Sequence, residues 1–282
     1  MRYLKKFNES LNNIDSICKE YGIVDYTINS DGSIDVDGDV NLNNRGLSKI
    51  PLKFGSVSGN FDCRNNQLTS LQGAPEFVGG GFNCYNNQLT SLQGAPRSVC
   101  RSFYCHNNQL MTLEGAPESV GRNFYCHINQ LTTLEGAPEF VGGDFSCSNN
   151  KLTTLEGAPE FVGGDFHCYD NQLTSLWGAP KSVDGGFYCN NNQLTSLRGA
   201  PELVDEDEDF NCSNNKLTSL EGSPKSVGGS FYCFNNQLTT LEGSPKSVGR
   251  GFYCQDNQLT SLEGAPEFVG GNFCCYNNPV ES

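Results

Sequence analysis

Phenylalanine and cysteine recur along this chain at a constant spacing. From residue 61 onward each unit follows the pattern F-x-C-x-x-N-x-L-T-S-L-x-G-A-P-x-x-V-G-G. The pattern begins at Phe61, Phe82, Phe103, Phe124, Phe145, Phe166, Phe187, Phe210, Phe231, Phe252 and Phe273. Every step is 21 residues except the 23 residues between Phe187 and Phe210. A fixed period of this length predicts a solenoid, in which each repeat forms one coil and packs on its neighbours.

The apolar positions within one unit predict how a coil is built. Phe61 and Cys63 lie two residues apart, so on a strand both point to the same face, which we assign to the core. Leu68 and Leu71 fill the next corner, and Val78 closes the far wall. We therefore predict a β-rich solenoid with one short parallel strand per repeat. Parallel strands joined in this way call for a right-handed coil.

An asparagine occupies the same position in all eleven units, from Asn66 to Asn278. A buried amide must find hydrogen-bond partners, and the free backbone groups of its own and the adjacent coil can supply them. We expect this column to form a polar ladder that ties the coils together.

The N-terminal segment does not follow the repeat. Residues 10–21 predict a helix with Leu11, Ile14 and Ile17 on one face and Ser10 as its N-cap. A solenoid needs a cap that hides the core at an open end, and this helix is suited to that role.

A hairpin and a degenerate repeat follow the helix. Tyr26–Ile28 and Ile34–Val36 flank a Ser-Asp-Gly turn, which is a hairpin signal. Val40 lies 21 residues before the first clear repeat. We divide the chain into an N-terminal cap, residues 1–39, and a solenoid of about twelve coils, residues 40–282, with the last coil truncated.

The last coil shows no comparable cap. Phe273 and Cys275 occupy inward positions there, and Pro279 discourages further strand pairing. An open sheet edge favours self-association. We expect a tail-to-tail homodimer through this coil.

The residues that vary between repeats lie on the other face of each strand. These positions, between Phe and Cys and just after Cys, form the predicted concave face, and they hold eight of the eleven Tyr and all three His. Aromatic side chains with polar atoms are enriched at protein interfaces, although Tyr is also a good strand former. The candidate partner-binding residues are Tyr85, Tyr104, His106, Tyr125, His127, His167, Tyr169, Tyr188, Tyr232, Phe234, Tyr253 and Tyr276.

Two further features of the sequence are possible sites. His106 and His127 fall in one column on adjacent strands, about 4.8 Å apart, but no carboxylate or thiolate accompanies them, so we predict no metal there. The acidic insertion 205–209 forms either a functional loop or a solvated one.

Composition excludes several classes of function. The net charge of −14 argues against binding to a nucleic-acid backbone. No apolar run is long enough to cross a membrane, and the N-terminus lacks the apolar region of a secretory signal. Eleven of the fourteen Cys belong to one inward column, which favours reduced thiols and a cytoplasmic setting.

The unit resembles the short leucine-rich repeats of bacterial secreted effector proteins. Their frame matches Phe61, Cys63, Asn66, Leu68 and Leu71, and the match covers roughly residues 40–280. The repeat style is also similar to that of repeat proteins from large tailed bacteriophages. This resemblance implies a leucine-rich-repeat fold and a role in protein binding.

Together these observations predict a non-enzymatic scaffold that binds a protein partner through its aromatic sheet. We find no convergent set of acid, base and nucleophile and expect no cofactor. In a phage setting the chain would be a factor or inhibitor acting on a host protein in the host cytoplasm. A carbohydrate-binding or adhesin module and an acidic nucleic-acid mimic remain alternatives.

Overall fold

The computed structural model describes residues 13–205 and 207–280. Its helix, α1, spans residues 13–21 and buries Ile14 and Cys18, while Ile17 is half-buried. The predicted N-cap Ser10 and the apolar Leu11 lie outside the described residues. No helix in the described part of the chain has the length and apolar character needed to span a bilayer.

The predicted hairpin is confirmed. Strand β1 (Tyr26–Ile28) pairs antiparallel with β2 (Ile34–Val36), with Thr27 opposite Asp35. Strand β2 then pairs in parallel with β4 (Phe54–Val57), the first strand of this kind in the repeats. The hairpin therefore continues one sheet of the solenoid, with a shift of register between Ile34 and Val36.

The Phe and Cys positions form a 12-stranded parallel sheet, which we call the first sheet. Each strand pairs in register with the next, so that Phe61 lies beside Phe82. Its strands are β3 (Val40–Asn41), β5 (Phe61–Asp62), β7 (Phe82–Asn83), β9 (Phe103–Tyr104), β11 (Phe124–Tyr125), β13 (Phe145–Ser146), β15 (Phe166–His167), β17 (Phe187–Tyr188), β19 (Phe210–Asn211), β21 (Phe231–Tyr232), β23 (Phe252–Tyr253) and β25 (Phe273–Cys274).

Each coil also contains a second strand, in addition to the one expected from the sequence. The valine column, predicted only as the far wall of the coil, pairs in parallel from coil to coil, and the backbone N–H of Gly79 donates to the carbonyl of Val57 at 2.9 Å. These strands are β4, β6 (Phe77–Val78), β8 (Ser98–Val99), β10 (Ser119–Val120), β12 (Phe140–Val141), β14 (Phe161–Val162), β16 (Ser182–Val183), β18 (Leu203–Val204), β20 (Ser226–Val227), β22 (Ser247–Val248) and β24 (Phe268–Val269).

The strands of the valine column form what we call the second side of the solenoid. This side is split beside the acidic insertion, residues 205–209. Strands β1, β2 and the even-numbered strands from β4 to β16 form a nine-stranded sheet, and the even-numbered strands from β18 to β24 form a four-stranded sheet, with no pairing between β16 and β18 in the described residues. A cleft lined by Ser182, Asp184, Leu203 and Asp205 opens at this break. The two additional residues are therefore accommodated by parting the second side while the first sheet stays continuous.

The core consists of one side chain per coil in each of five columns. The Phe rings stack from coil to coil with centroids between 5.2 and 5.6 Å apart, and from Phe61 to Phe252 they are fully buried. Leu68, Leu71 and Val78 are buried as predicted. Burial of each such side chain stabilises the fold by about 1.5–3 kcal/mol before conformational entropy is subtracted.

The asparagine ladder is also confirmed. Asn129 Oδ1 accepts a hydrogen bond from the backbone N–H of Leu110 at 3.0 Å. Its Nδ2 donates to the carbonyls of Cys105 at 3.2 Å and Cys126 at 3.0 Å. One amide thus bonds three backbone groups on two coils, and an apolar residue in its place would leave the Leu110 N–H unpaired.

A second column of turn residues has positive φ. Most of its members are Asn or Asp, which tolerate the left-handed region and bond to one another, as from Asn86 Nδ2 to Asn65 Oδ1 at 2.6 Å. Ile128 has φ 53° in this column and is 49% exposed. A β-branched residue is strained in that region, so this turn departs from the rule that the others follow.

Candidate functional site

The outward face of the first sheet is formed by three residues of each repeat: the one before Phe, the one between Phe and Cys, and the one after Cys. We call the three residues on one strand a rung. Alternation along the strand places them on the same side, opposite the core. All twelve predicted partner-binding residues lie on this face, half-buried except for Tyr276, which is 60% exposed.

The N-terminal part of the outward face holds a continuous stack. Tyr85 stacks on His106 with ring centroids 4.3 Å apart, and His106 stacks on His127 at 4.4 Å. The Arg64 guanidinium lies 5.4 Å from the Tyr85 ring centroid and donates to the Tyr85 hydroxyl at 2.6 Å. Arg64 also pairs with Asp62 at 3.2 Å. The stack therefore ends at the Arg64 guanidinium, whose positive charge is balanced by the Asp62 carboxylate.

A second pair of rings stands beside this stack. Tyr104 and Tyr125 pack at 5.1 Å with tilted planes. The Tyr125 hydroxyl donates to Asp144 Oδ2 at 2.8 Å, and Asn123 Nδ2 donates to the same hydroxyl at 3.0 Å. Burial and then the Asp144 carboxylate raise the pKa of Tyr125, so its hydroxyl stays protonated and holds the ring in place.

The aromatic surface is interrupted at the next rung. This serine rung consists of Asp144, Ser146 and Ser148. Ser146 is 6% and Ser148 1% exposed, because the side chains of the neighbouring rungs are much taller, and their hydroxyls lie 3.2 Å apart. Among the described residues no ring pair stacks across this rung.

Aromatic residues resume beyond the serine rung. His167 stacks on Tyr188 at 4.7 Å and meets Tyr169 edge-on at 5.9 Å. His167 Nε2 lies 3.6 Å from Asp165 Oδ2. The Tyr188 ring lies over Gly186, where a Cβ atom would meet the ring at 2.7 Å. Glycine at that position leaves room for the edge of the Tyr188 ring to rest on its own strand.

A third aromatic group lies near the C-terminal end of the face. Tyr232 and Tyr253 stack at 4.9 Å with planes 4° apart. Phe234 is half-buried on the Tyr232 rung, and Tyr276 lies on the last rung. The polar Asn211 and Ser213 separate this group from Tyr188.

The three histidines are held neutral at neutral pH. Burial and then the charge of His127 lower the pKa of His106 to about 4. Burial also lowers the pKa of His127 and of His167, with a further contribution at His127 from His167. Their Nδ1 atoms are enclosed and have no hydrogen-bond partner among the described residues. Neutral imidazoles act here as flat stacking surfaces.

The His106 and His127 pair does not form a metal site. Their ring planes are 9° apart, so their nitrogen lone pairs run nearly parallel and do not converge on one ion. No group of three or more His, Cys, Asp or Glu suited to a metal occurs in the part of the chain that the structure describes.

Carboxylates line one edge of the outward face. Asp144, Asp165 and Asp209 each precede a Phe, and Glu208 of the acidic insertion lies near them. Burial and then the charges of Asp165 and Asp209 raise the pKa of Glu208. Burial and then Asp165, Asp209 and Glu208 raise the pKa of Tyr188 to about 12. The insertion therefore brings negative charge to the aromatic surface.

A second exposed surface, which was not predicted, lies on the opposite side of the solenoid. Phe140 and Phe161 stack at 5.1 Å on the outside of the second side, where Phe140 is 47% exposed. This column holds Phe in some repeats and Ser in others, a variation that was visible in the sequence. It was overlooked because no strand was expected at the valine wall.

Comparisons with known proteins show the fold. No protein-family model matches the chain, and no curated protein matches its sequence. Among solved structures, the leucine-rich effector protein YopM from Yersinia pestis matches with a TM-score of 0.50 and 22% identity, over 85% of this chain and 77% of that one. YopM from Yersinia enterocolitica WA-314 matches with a TM-score of 0.44 and 20% identity, over 85% of this chain. The chain spans 64% of the latter's length. The similarity to the first structure establishes a leucine-rich-repeat solenoid.

Proposed function

We propose that this protein is a non-enzymatic scaffold that binds another protein through the outward face of its first sheet. The observation that carries the proposal is the array of half-buried Tyr and His rings on that face, set on a backbone whose strands are paired throughout. A rigid surface that presents amphipathic rings loses little entropy on binding, which suits interface anchors.

The arrangement of the rings favours a protein over a sugar. Within each stack the ring faces are covered by their neighbours, as between His106 and His127, and mainly ring edges point outward. A sugar stacks on an exposed ring face, whereas Tyr hydroxyls and ring edges contact peptide groups and side chains.

The setting that we propose is cytoplasmic. All fourteen Cys are free thiols in the structure, which supports a reducing compartment. The similarity of the repeats to phage repeat proteins supports the narrower proposal of a factor that acts on a host protein.

The decisive experiment is capture of partners from bacterial lysate, followed by affinity measurement with the purified partner. We expect the triple variant Tyr104→Ala, Tyr125→Ala, Tyr188→Ala to weaken binding by about tenfold or more. The matched control replaces Phe77, Phe140 and Phe161 by Ser, which the same column already holds at Ser98. Equal binding by the wild type and the Tyr variant, with loss in the Phe variant, would move the interface to the second side.

A further inference from the structure

The break on the second side of the solenoid leaves two backbone groups without partners. In the other coils the N–H of the residue that follows the valine donates to the valine carbonyl of the preceding coil, as Asp184 does to Val162 at 3.0 Å. Among the described residues the corresponding bond, from the Asp205 N–H to the Val183 carbonyl, is missing, and neither group has another hydrogen-bond partner. One donor beside β18 and one acceptor on β16 are therefore free to bind another backbone.

The charged side chains beside the break pair away from it. Lys181 pairs with Glu160 on the preceding coil at 2.8 Å, and Glu202 pairs with Lys225 on the following coil at 2.6 Å. Lys181 and Glu202 carry opposite charges in one column, yet in the part of the chain that the structure describes they form no ion pair with each other. The two coils are therefore parted here at the side chains as well as at the backbone.

An open cleft lies between the two strands. Its volume is about 420 Å³, and it is lined by residues 181–184 on one side and by residues 201–203 and 205 on the other. Pockets that bind ligands have volumes of about 300–1,000 Å³. Val183 is 7% exposed and Val204 is 4% exposed, whereas the valine of the preceding coil, Val162, is fully buried. The cleft therefore reaches the edge of the apolar core.

The two additional residues of this repeat allow the coil to open on one side only. They lie between β18 and β19 and lengthen that connection by up to about 6.6 Å, at about 3.3 Å per residue. Neighbouring strands of a sheet are about 4.8 Å apart. The coil therefore has enough chain for β18 to stand one strand spacing further from β16 while β19 keeps its pairing with β17.

Two carboxylates stand at one end of the cleft. Asp184 and Asp205 occupy the column that follows the valines, where most other coils hold glycine. Both side chains are exposed, and within residues 13–205 and 207–280 neither forms an ion pair with a Lys or Arg. Charge complementarity therefore favours a basic side chain at this end of the cleft.

The following coils show which sequence packs as a strand on this side. Residues 225–228 and 246–249 both read Lys-Ser-Val-Gly, and their strands pair in parallel with β18 and with each other. The valine fills the core column, and the serine faces outward. The glycine allows close approach, because a Cβ atom at Gly249 would collide with the Gly228 carbonyl oxygen. A β-branched residue between small ones is therefore the pattern that fits between two such strands.

We propose that the break is a docking site for an extended segment of a partner protein, which enters as an additional parallel strand between β16 and β18. Its backbone donates an N–H to the Val183 carbonyl and accepts from the Asp205 N–H, so that β16 and β18 stand two strand spacings apart, about 9.6 Å. A β-branched residue points to the core beside Val204, and a basic residue lies near Asp184 and Asp205. This site is separate from the outward face of the first sheet and goes beyond the proposed function.

The test measures binding of a peptide to the full chain by fluorescence anisotropy. The probe is the fluorescein-labelled amide Ser-Pro-Lys-Ser-Val-Gly-Arg, which is the sequence of residues 244–250. We expect saturable binding. The same peptide with N-methylglycine after the valine lacks the N–H that bonds the Val183 carbonyl, and it should bind about tenfold more weakly. A peptide of the same composition in scrambled order is the control for charge alone.

Three variants locate the site. Deletion of Glu206 and Asp207 restores the 21-residue period, so it should close the break and abolish binding. Asp205→Pro removes the free N–H without breaking a hydrogen bond of the chain, and it should weaken binding about tenfold. Asp205→Asn is its matched control, because it keeps the N–H and removes the charge. It should weaken binding at low salt and bind as the wild type does at high salt.

Several results would overturn the inference. These are the absence of saturable binding, equal binding of the N-methylated or the scrambled peptide, and unchanged binding by Asp205→Pro or by the deletion variant. The triple Tyr variant of the outward face should bind the peptide as the wild type does. If that variant loses the peptide, the peptide binds the outward face and the break is not its site. If it loses only the captured partner, the result concerns the proposed function alone.

Discussion

The imidazole rings of His106 and His127 stack face to face, with centroids 4.4 Å apart and planes 9° apart. Such a stack is stable only while both rings are neutral, because two imidazolium cations at this distance repel each other. Burial lowers the pKa of His106 to about 4, well below the value of about 6.5 in an unfolded chain. The unfolded state therefore binds more protons between these two values.

We predict that the free energy of unfolding decreases as the pH falls from about 6.5 toward 4. The stability contributed by neutral histidines is fully present above the unfolded pKa and is lost on acidification. The variant His106→Tyr, His127→Tyr keeps rings in a column that already holds Tyr85, and it should lose less stability. Urea unfolding at about pH 6.5 and about pH 4 measures the free energy of unfolding of the wild type and of the variant. An identical loss in wild type and variant would assign the effect to groups other than these two histidines.

A thiol assay should separate the cysteines by burial. The fourteen Cys are free, and the column from Cys63 to Cys254 is buried, with burial raising the pKa of thiols such as Cys105 and Cys126. The thiolate is the reactive form, so these residues should be inert in the native state. Cys100 is exposed and should react first with a thiol reagent, whereas all fourteen should react in denaturant without reductant.

The variant Cys100→Ser is the control for this assay. It should remove the fast phase and leave the total in denaturant lower by one. A total near zero in the wild-type protein would contradict both the reduced state and the cytoplasmic setting.

Most of the fold could be predicted from the sequence because the repeat leaves few alternatives. The period fixed the coil, and the spacing of Phe61 and Cys63 fixed which face is buried, since side chains alternate on a strand. The second strand, at Phe77–Val78, was not predicted. Two residues pair there only because the adjacent coil offers backbone groups at the same height, a relationship between coils that no single repeat displays.

The residues of the outward face could be predicted from the sequence, but the way in which their rings pack against one another could not. Alternation placed Tyr125 and His167 on one side of the sheet, yet it could not tell whether their rings stack or stand apart. That outcome depends on the residue between them, Ser146, whose small side chain cannot continue the stack of rings. The carboxylate edge formed by Asp144, Asp165 and Asp209 was not predicted.

Removal of one amide from the asparagine ladder should destabilise the fold strongly. Asn129→Ala leaves the Leu110 N–H without its acceptor in a buried site, whereas the carbonyls of Cys105 and Cys126 each lose one donor and keep another. Each buried unsatisfied group costs about 1–3 kcal/mol, so we expect a loss of at least that size in the free energy of unfolding. Asn190→Ala on the outward face is the control and should change stability by less than about 0.5 kcal/mol. Similar effects of both variants would show that the ladder is dispensable.

The last strand of the first sheet should cause self-association of the 282-residue chain. Phe273 on β25 is 37% exposed, whereas Phe252 on the preceding strand is fully buried, and β25 is the edge strand of the sheet. An edge with free backbone groups and exposed apolar area pairs readily with a copy of itself, here tail to tail and two-fold symmetric. Light scattering should give about twice the 30.7 kDa chain mass.

Phe273→Asp should return the protein to a monomer, whereas Phe77→Asp, an exposed residue far from this edge, should leave the dimer intact. A wild-type protein that remains monomeric across a wide range of concentration would rule out this dimer.

Ile128 offers a test of whether the outward face is maintained for binding at a cost in stability. It has φ 53° in a column where Asn107 and its neighbours adopt the same conformation with less strain. A left-handed conformation costs an ordinary residue about 1–2 kcal/mol. Ile128→Asn should recover much of that free energy. The new amide would be placed to donate to Asn107 Oδ1, as Asn107 donates to Asn86 at 2.6 Å.

The strained side chain is half exposed and follows His127 directly, at the border of the serine rung. We therefore expect Ile128→Asn to raise the melting temperature and to weaken binding of the captured partner. The reverse change, Asn107→Ile, should lower the melting temperature by a similar amount. If Ile128→Asn stabilises the protein and leaves partner binding unchanged, the strain at this turn has no role in recognition and the interface does not include the Ile128 side chain.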